Sequence, residues 1–162
     1  MSREELADIG ARLGSDVPFA LVGANAIGRG RGEEIMPVLG QGQFHWVFAL
    51  ADEGLSTPAV YRQCDTLRAG EQIRPPEVSD ALLHALRQGD AKALAAALHN
   101  DLQPAAISLR PSLRRLLEAG VEYGALAGVV SGSGPTCAFL CRDSAHSIDV
   151  AVAMTATGMC RT

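Results

Sequence analysis

Lysine is all but missing from this chain: of its fourteen basic residues only Lys92 is not arginine. That excludes a phosphate loop of the G-x-x-x-x-G-K-[ST] kind, whose lysine must follow its glycines directly. Positive charge is not in excess either. Eighteen acidic residues outweigh the basic ones, leaving a net charge of −4, which gives no electrostatic reason to expect nucleic acid or an anionic membrane as partner. No apolar run approaches the ~20 residues of a membrane span. The opening MSREELADIG lacks the apolar core of a signal peptide. Cysteine is sparse: Cys64, Cys137, Cys141 and Cys160 form neither a zinc-ribbon spacing nor a dense disulfide framework, so a reducing, cytoplasmic setting is expected. His45, His84, His99 and His146 are scattered without a ligand-spaced partner, which argues against a metal held by side chains.

What is present is apolar. Of 162 residues, 48% are hydrophobic, enough for a real core in one domain or two small ones and too many for a disordered chain. The periodicity predicts a helix from Ser2 to Leu13, with Ser2 and Glu5 at capping-box spacing and Gly14 as its stop. Phe19–Val22 and the glycine-punctuated stretch to Gly32 read as two or three short strands ending before Pro37. Phe44–Leu50 is the clearest strand, with Phe44, Trp46, Phe48 and Leu50 on its large-residue face and Trp46 and Phe48 expected in the core. A helix is expected at 59–66. The polar stretch from Arg68 to Pro76 is the best candidate for an internal break. Leucine spacing marks three further helices, around Leu82–Leu86, Leu94–Leu98 and Leu113–Leu117, the last stopped at Gly120; His84 and His99 are expected on helix surfaces. Leu126–Val130 and Thr136–Cys141 across a glycine-rich turn predict a hairpin, and 148–157 a last helix with Ile148, Ala151, Val152 and Thr155 on one stripe. Strands, then helices, then a hairpin and helix make this an α+β chain. Both ends read as cut: the chain opens directly in a helix and stops just after Gly158 has ended one, where a strand is expected.

Three segments invite chemistry. Ser131-Gly-Ser-Gly-Pro-Thr136 carries glycines that let backbone N–H groups converge on an anion, with hydroxyls as further donors; spacing alone favours an ordinary hairpin turn. Gly28-Arg-Gly-Arg-Gly32 has the wrong spacing for a dinucleotide fingerprint and reads as a kinked strand or turn with exposed arginines. In Ser15-Asp16-Val17-Pro18, a serine or aspartate at a helix start with proline in its first turn is ordinary capping, and a catalytic carboxylate at Asp16 is the alternative. Tyr61 could offer a stacking face, although an isolated tyrosine more often packs.

Together, Asp8–Phe19, Gly28–Glu33 and Val130–Thr136 resemble, in order and spacing, the diphosphocytidyl-methylerythritol kinases, small-molecule kinases of the galactokinase, homoserine kinase, mevalonate kinase and phosphomevalonate kinase superfamily. The likeness runs over essentially the whole chain. It implies the tail of a ribosomal-protein-S5-like N-terminal domain at 1–41, followed by a ferredoxin-like C-terminal domain at 42–162 with its final strand missing. It also implies ATP-dependent phosphorylation of the 2-hydroxyl of a cytidine-diphosphate-linked sugar alcohol in the non-mevalonate isoprenoid pathway, with Mg²⁺ on the nucleotide. On that likeness Asp16 is the catalytic aspartate, and Ser131, Gly132, Ser133, Gly134 and Thr136 form a turn near the phosphates and substrate. Tyr61 stacks on cytosine, and Thr57 lies in the same substrate-facing loop. The family's glycine-rich ATP loop and its N-terminal lysine have no counterpart here, and Lys92 stands in the wrong half. An inactive fragment is therefore expected when the chain is alone, with self-association through the surface that truncation exposes. The alternatives are another kinase of the superfamily, or a non-catalytic ferredoxin-like binding module.

Overall fold

The computed structural model describes residues 3–14, 16–30, 32, 34–73 and 76–162; for Arg3, Glu4, Ala7 and Asp8 it describes the backbone only. Ser2, Ser15, Arg31, Glu33, Arg74 and Pro75 thus lie outside the described residues, and with them the Ser2 and Ser15 caps, part of the arginine-glycine turn and one proline of the polar stretch. The chain forms two compact units, Met1–Gln41 and Gly42–Thr162.

The first unit holds α1 (Arg3–Leu13), α2 (Asp16–Val22), β1 (Ala26–Arg29) and β2 (Glu34–Pro37). The two helices approach closely at Gly10, where an added Cβ would stand 3.1 Å from Val17 and 3.2 Å from Leu21. The apolar run Phe19–Val22, expected as strand, is the body of α2. Proline tolerated in a first helical turn explains the difference: Pro18 starts a helix here and does not end one. β1 and β2 pair antiparallel from Ala26↔Pro37 to Arg29↔Glu34, and Arg29 is exposed at the turn end.

The second unit is built on β3 (His45–Ala49), β4 (Ala127–Val130) and β5 (Cys137–Cys141), in the order β3-β5-β4 and antiparallel throughout. Around it lie α3 (Thr57–Leu67), α4 (Asp80–Gln88), α5 (Ala91–Ala97), α6 (Gln103–Leu109), α7 (Ser112–Glu122) and α8 (Ser144–Ala156). The first strand lies beside the third, and the second beside the third on its other side, as in a split β-α-β, ferredoxin-like domain. On the far edge of β3 an isolated bridge joins Leu50 to Arg161. Every residue of β5 is buried, because both faces of the sheet are covered, which is why Cys-Ala-Phe-Leu-Cys reads as a continuous apolar run. Val47, Ala49, Cys137, Phe139 and Cys141 join the main core with residues of α3, α6, α7 and α8. Trp46 and Phe44 pack instead on a smaller cluster around Ala85, Leu94 and Leu140.

Several expectations change on packing. Phe48, expected in the core, is half exposed, as is Leu50, while the small residues opposite them are buried; the main core sits under the smaller face of β3. The buried stripe of α8 is His146, Val150 and Met154, whereas Ile148 and Val152 are exposed. α6 was not legible, being short and opened by a proline. α7 runs through Gly120 to Glu122, since that glycine is needed for space: an added Cβ would overlap the Phe139 ring. The polar stretch after Arg68 joins α3 to α4 within one unit and separates nothing. His84 is exposed on α4 as expected, but His99 stands in the connection after α5.

Candidate functional site

The β4–β5 turn is closed by two backbone hydrogen bonds, from the Ser131 N–H to the Thr136 carbonyl at 2.8 Å and from the Gly134 N–H to the Ser131 carbonyl at 2.9 Å. Gly132 (φ 56) and Gly134 (φ 77) occupy the left-handed region that glycine enters without strain. At Gly134 space is also short, because a Cβ would stand 3.0 Å from a Val130 methyl. Among the described residues the Gly132 and Ser133 N–H groups have no hydrogen-bond partner.

Helix α3 brings the Thr57 side chain to this turn. Its start is set by Pro58 in the first turn after an extended Ser56. The Thr57 hydroxyl lies 2.8 Å from the Ser133 hydroxyl, so helix start and turn are joined. Tyr61 follows four residues later, on the same face of the helix, with its side chain 55% exposed. Tyr61 falls within the helix expected at 59–66, whereas Thr57, expected in the loop before it, is already the first residue of α3. Ser131 and Gly132 are exposed, and Ser133, Gly134 and Thr136 half-buried.

The turn is gripped from behind. The Asn100 side-chain amide donates to the Val130 carbonyl at 2.7 Å and to the Gly132 carbonyl at 2.8 Å, while its oxygen accepts from the Leu102 N–H at 2.9 Å. The Gln103 side-chain oxygen accepts from the Val130 N–H at 2.9 Å. Beside Asn100, Asp101 pairs with His99 at 2.7 Å and Arg68 at 3.3 Å. The hydrogen bond from His99 holds the Asp101 carboxyl below its ordinary range, against the opposing effect of burial and with help from the Arg68 charge.

Asp16 belongs to the first unit. It is exposed and stands as the first residue of α2, where a carboxylate meets the favourable end of the helix dipole, and the Val17 N–H donates back to the Gly14 carbonyl at 3.2 Å. No group of three or more His, Cys, Asp or Glu among the described residues could hold a metal ion. The four cysteines are free and buried; burial, with Cys160 nearby, pushes the Cys137 thiol up to about 12.

Residues 82–158 match the family described as GHMP kinases C terminal. Over its whole length the chain is 56% identical to a 4-diphosphocytidyl-2-C-methyl-D-erythritol kinase of Rhodococcus jostii, covering 52% of that protein. It is 60% identical, over 99% of its length, to the kinase of that name from Streptomyces avermitilis, covering 54% of it. The chain thus spans about half the length of the curated relatives it matches. A crystal structure of 4-(cytidine 5'-diphospho)-2C-methyl-D-erythritol kinase matches 96% of the chain and 54% of its own at 29% identity, with a TM-score of 0.78. A homoserine kinase from Cytophaga hutchinsonii, 16% identical with a TM-score of 0.70 over 96% of this chain and 53% of its own, shares the fold.

Sequence reasoning singled out the glycine turn, Thr57 and Tyr61 but not Asn100 and Gln103, whose side chains hydrogen-bond β4 and the turn. Both carbonyls that the Asn100 amide reaches lie some thirty positions downstream, so nothing local to His-Asn-Asp-Leu-Gln-Pro announces them. The available signal was weaker: an asparagine in a short connection between two helices and a glutamine at the start of the second.

Proposed function

We propose that this chain contributes to an ATP-dependent kinase that phosphorylates the 2-hydroxyl of 4-diphosphocytidyl-2-C-methyl-D-erythritol. The residues at 1–41 would be the part of the N-terminal domain that carries the catalytic carboxylate, and those at 42–162 the substrate-facing C-terminal domain. ATP would supply the phosphoryl group, with Mg²⁺ neutralising its phosphates, at a site completed by residues that the longer relatives carry outside the matched half. The single observation that carries the reading is the joining of Thr57, on the helix bearing Tyr61, to Ser133 in the glycine turn. A nucleoside-diphosphate substrate needs an aromatic face for its base and donors for its phosphates; Tyr61 would offer the first, and the turn with the Thr57 hydroxyl the second.

The roles follow from the chemistry. Asp16 would take the proton of the attacking hydroxyl as its oxygen forms the new bond to the γ-phosphorus and the bond from that phosphorus to ADP breaks. Phosphoryl transfer needs mainly position and charge neutralisation, so one carboxylate at the nucleophile suffices on this side. Ser131, Gly132, Ser133, Gly134 and Thr136 would hold the diphosphate and sugar-alcohol region, and Tyr61 would stack on cytosine. A cytoplasmic setting fits such a metabolite; no helix among the described residues is long and apolar enough to cross a membrane.

Tyr61 also supplies the test, because homoserine and mevalonate have no base to stack. Calorimetric titration of the chain should detect 4-diphosphocytidyl-2-C-methyl-D-erythritol and, more weakly, the same sugar-alcohol phosphate without its cytidine. Tyr61→Ala should bring the two affinities together, with a loss of ~10-fold or more for the cytidine compound, since base–aromatic stacking is worth ~1–3 kcal/mol. Equal binding of both compounds by the unaltered chain would remove the cytidine reading.

A further inference from the structure

The connection between α5 and α6 touches the glycine turn through side chains that neither the sequence motifs nor the relatives' names assign. Asn100 donates both hydrogens of its amide, one to the Val130 carbonyl and one to the Gly132 carbonyl, at 2.7 and 2.8 Å. These bonds orient two peptide planes. Among the described residues the Gly134–Pro135 bond is the only cis peptide, so the planes after Val130 and Gly132 are trans, and in a trans peptide carbonyl and N–H point to opposite sides. Drawing the Val130 carbonyl toward Asn100 therefore turns the Ser131 N–H away, where it closes the hairpin on Thr136. Drawing the Gly132 carbonyl inward likewise turns the Ser133 N–H outward. That amide has no partner among the described residues, and its own hydroxyl sits against Thr57.

Asn100 is itself held. Its oxygen accepts from the Leu102 N–H, Gln103 takes the Val130 N–H, and the Asp101 carboxylate is tied to Arg68 at the end of α3. The clamp is thus braced on the helix that carries Thr57 and Tyr61. We infer that Asn100 is a positioning residue: by holding the Val130 and Gly132 carbonyls it keeps the Ser133 N–H available, beside the Ser133 and Thr57 hydroxyls, to an anionic oxygen of the substrate. The identity of that substrate rests on the function proposed above; the orientation of the amide does not.

Asn100→Asp isolates the donor. It keeps an oxygen for the Leu102 N–H, loses the two donated hydrogens and sets a carboxylate against two carbonyls. Nitrogen-15 NMR of the whole chain, titrated with 4-diphosphocytidyl-2-C-methyl-D-erythritol, reads both parts. In the unaltered chain the Ser133 amide should shift on titration. In Asn100→Asp that resonance should already be displaced without ligand, and affinity should fall about tenfold or more, the size expected for a hydrogen bond to a charged group. Ser79→Ala, which removes the α4 N-cap bond to Leu82, is the stability control and should bind like the unaltered chain. An unshifted free Ser133 amide in Asn100→Asp, unchanged affinity, or an equal loss in Ser79→Ala would each overturn the positioning role. If the unaltered chain binds nothing while its free Ser133 amide responds to Asn100→Asp, the orientation stands and the functional reading is what fails.

Discussion

At the scale of single residues, Asp16 separates the catalytic reading from the structural one. As the first residue of α2 it favours the helix through its charge, a contribution of ~0.3–1 kcal/mol at an exposed site. Asp16→Asn keeps the shape and removes that charge, so on structural grounds alone its effect is small. As the group that takes the hydroxyl proton, it is worth ~10²–10⁴-fold in rate. In a chimera where this chain replaces the matching half of the Rhodococcus jostii kinase, Asp16→Asn should collapse kcat, leave KM near normal and barely move the melting temperature. A variant with near-normal kcat would return Asp16 to helix stabilisation. The cysteines make a second test at this scale. All are buried, and Cys137 has its thiol pushed up to about 12, so thiolate is scarce at neutral pH. Ellman's reagent should find almost no reactive thiol in the native chain and four after denaturation; rapid native reaction would contradict the buried core.

At the scale of elements, glycine in a helix is ordinarily a weakness, and replacing it by alanine gains ~1 kcal/mol. Gly120 in α7 reverses the sign, because the added methyl would enter the Phe139 ring, and overpacking of this kind costs ~1–3 kcal/mol. Gly120→Ala should therefore lower the melting temperature by a few degrees; a rise would mean that α7 and β5 are not in contact there. The 98–102 connection has a pH signature. Asp101 is held below its ordinary value of 3.8, so its contribution is present above that value and is lost as the pH falls through the lower folded one. Its half-exposed position keeps that contribution small. Thermal melts of Asp101→Asn should match the unaltered chain in strong acid and fall slightly short of it above about pH 4; a gap that widens in acid would contradict the pairing. The same elements explain what sequence could reveal. The β4–β5 hairpin, α4 with its leucine spacing, and the site turn were legible because their signals are local. Phe48, the α8 stripe and Asn100 were not. Which face of β3 or α8 meets the core, and which carbonyls an asparagine reaches, depend on partners brought together only by the fold.

At the scale of the whole molecule, apolar side chains remain on the surface of both units, among them Leu13 and Leu39, 76% and 84% exposed, and Ile148 and Val152. Apolar surface of this kind favours association, and sedimentation at rising concentration should detect oligomers; a monomer throughout would show that these side chains form no adhesive patch. The function proposed above would make this chain one half of a kinase for a cytidine-diphosphate sugar alcohol, and the same chimera puts that proposal to the most direct test. Given Mg²⁺-ATP, it should release ADP with 4-diphosphocytidyl-2-C-methyl-D-erythritol and yield a product one phosphate heavier at the 2-hydroxyl, with no turnover of homoserine or mevalonate. A folded chimera that leaves the cytidine compound unphosphorylated, or that phosphorylates homoserine or mevalonate as readily, would contradict the account.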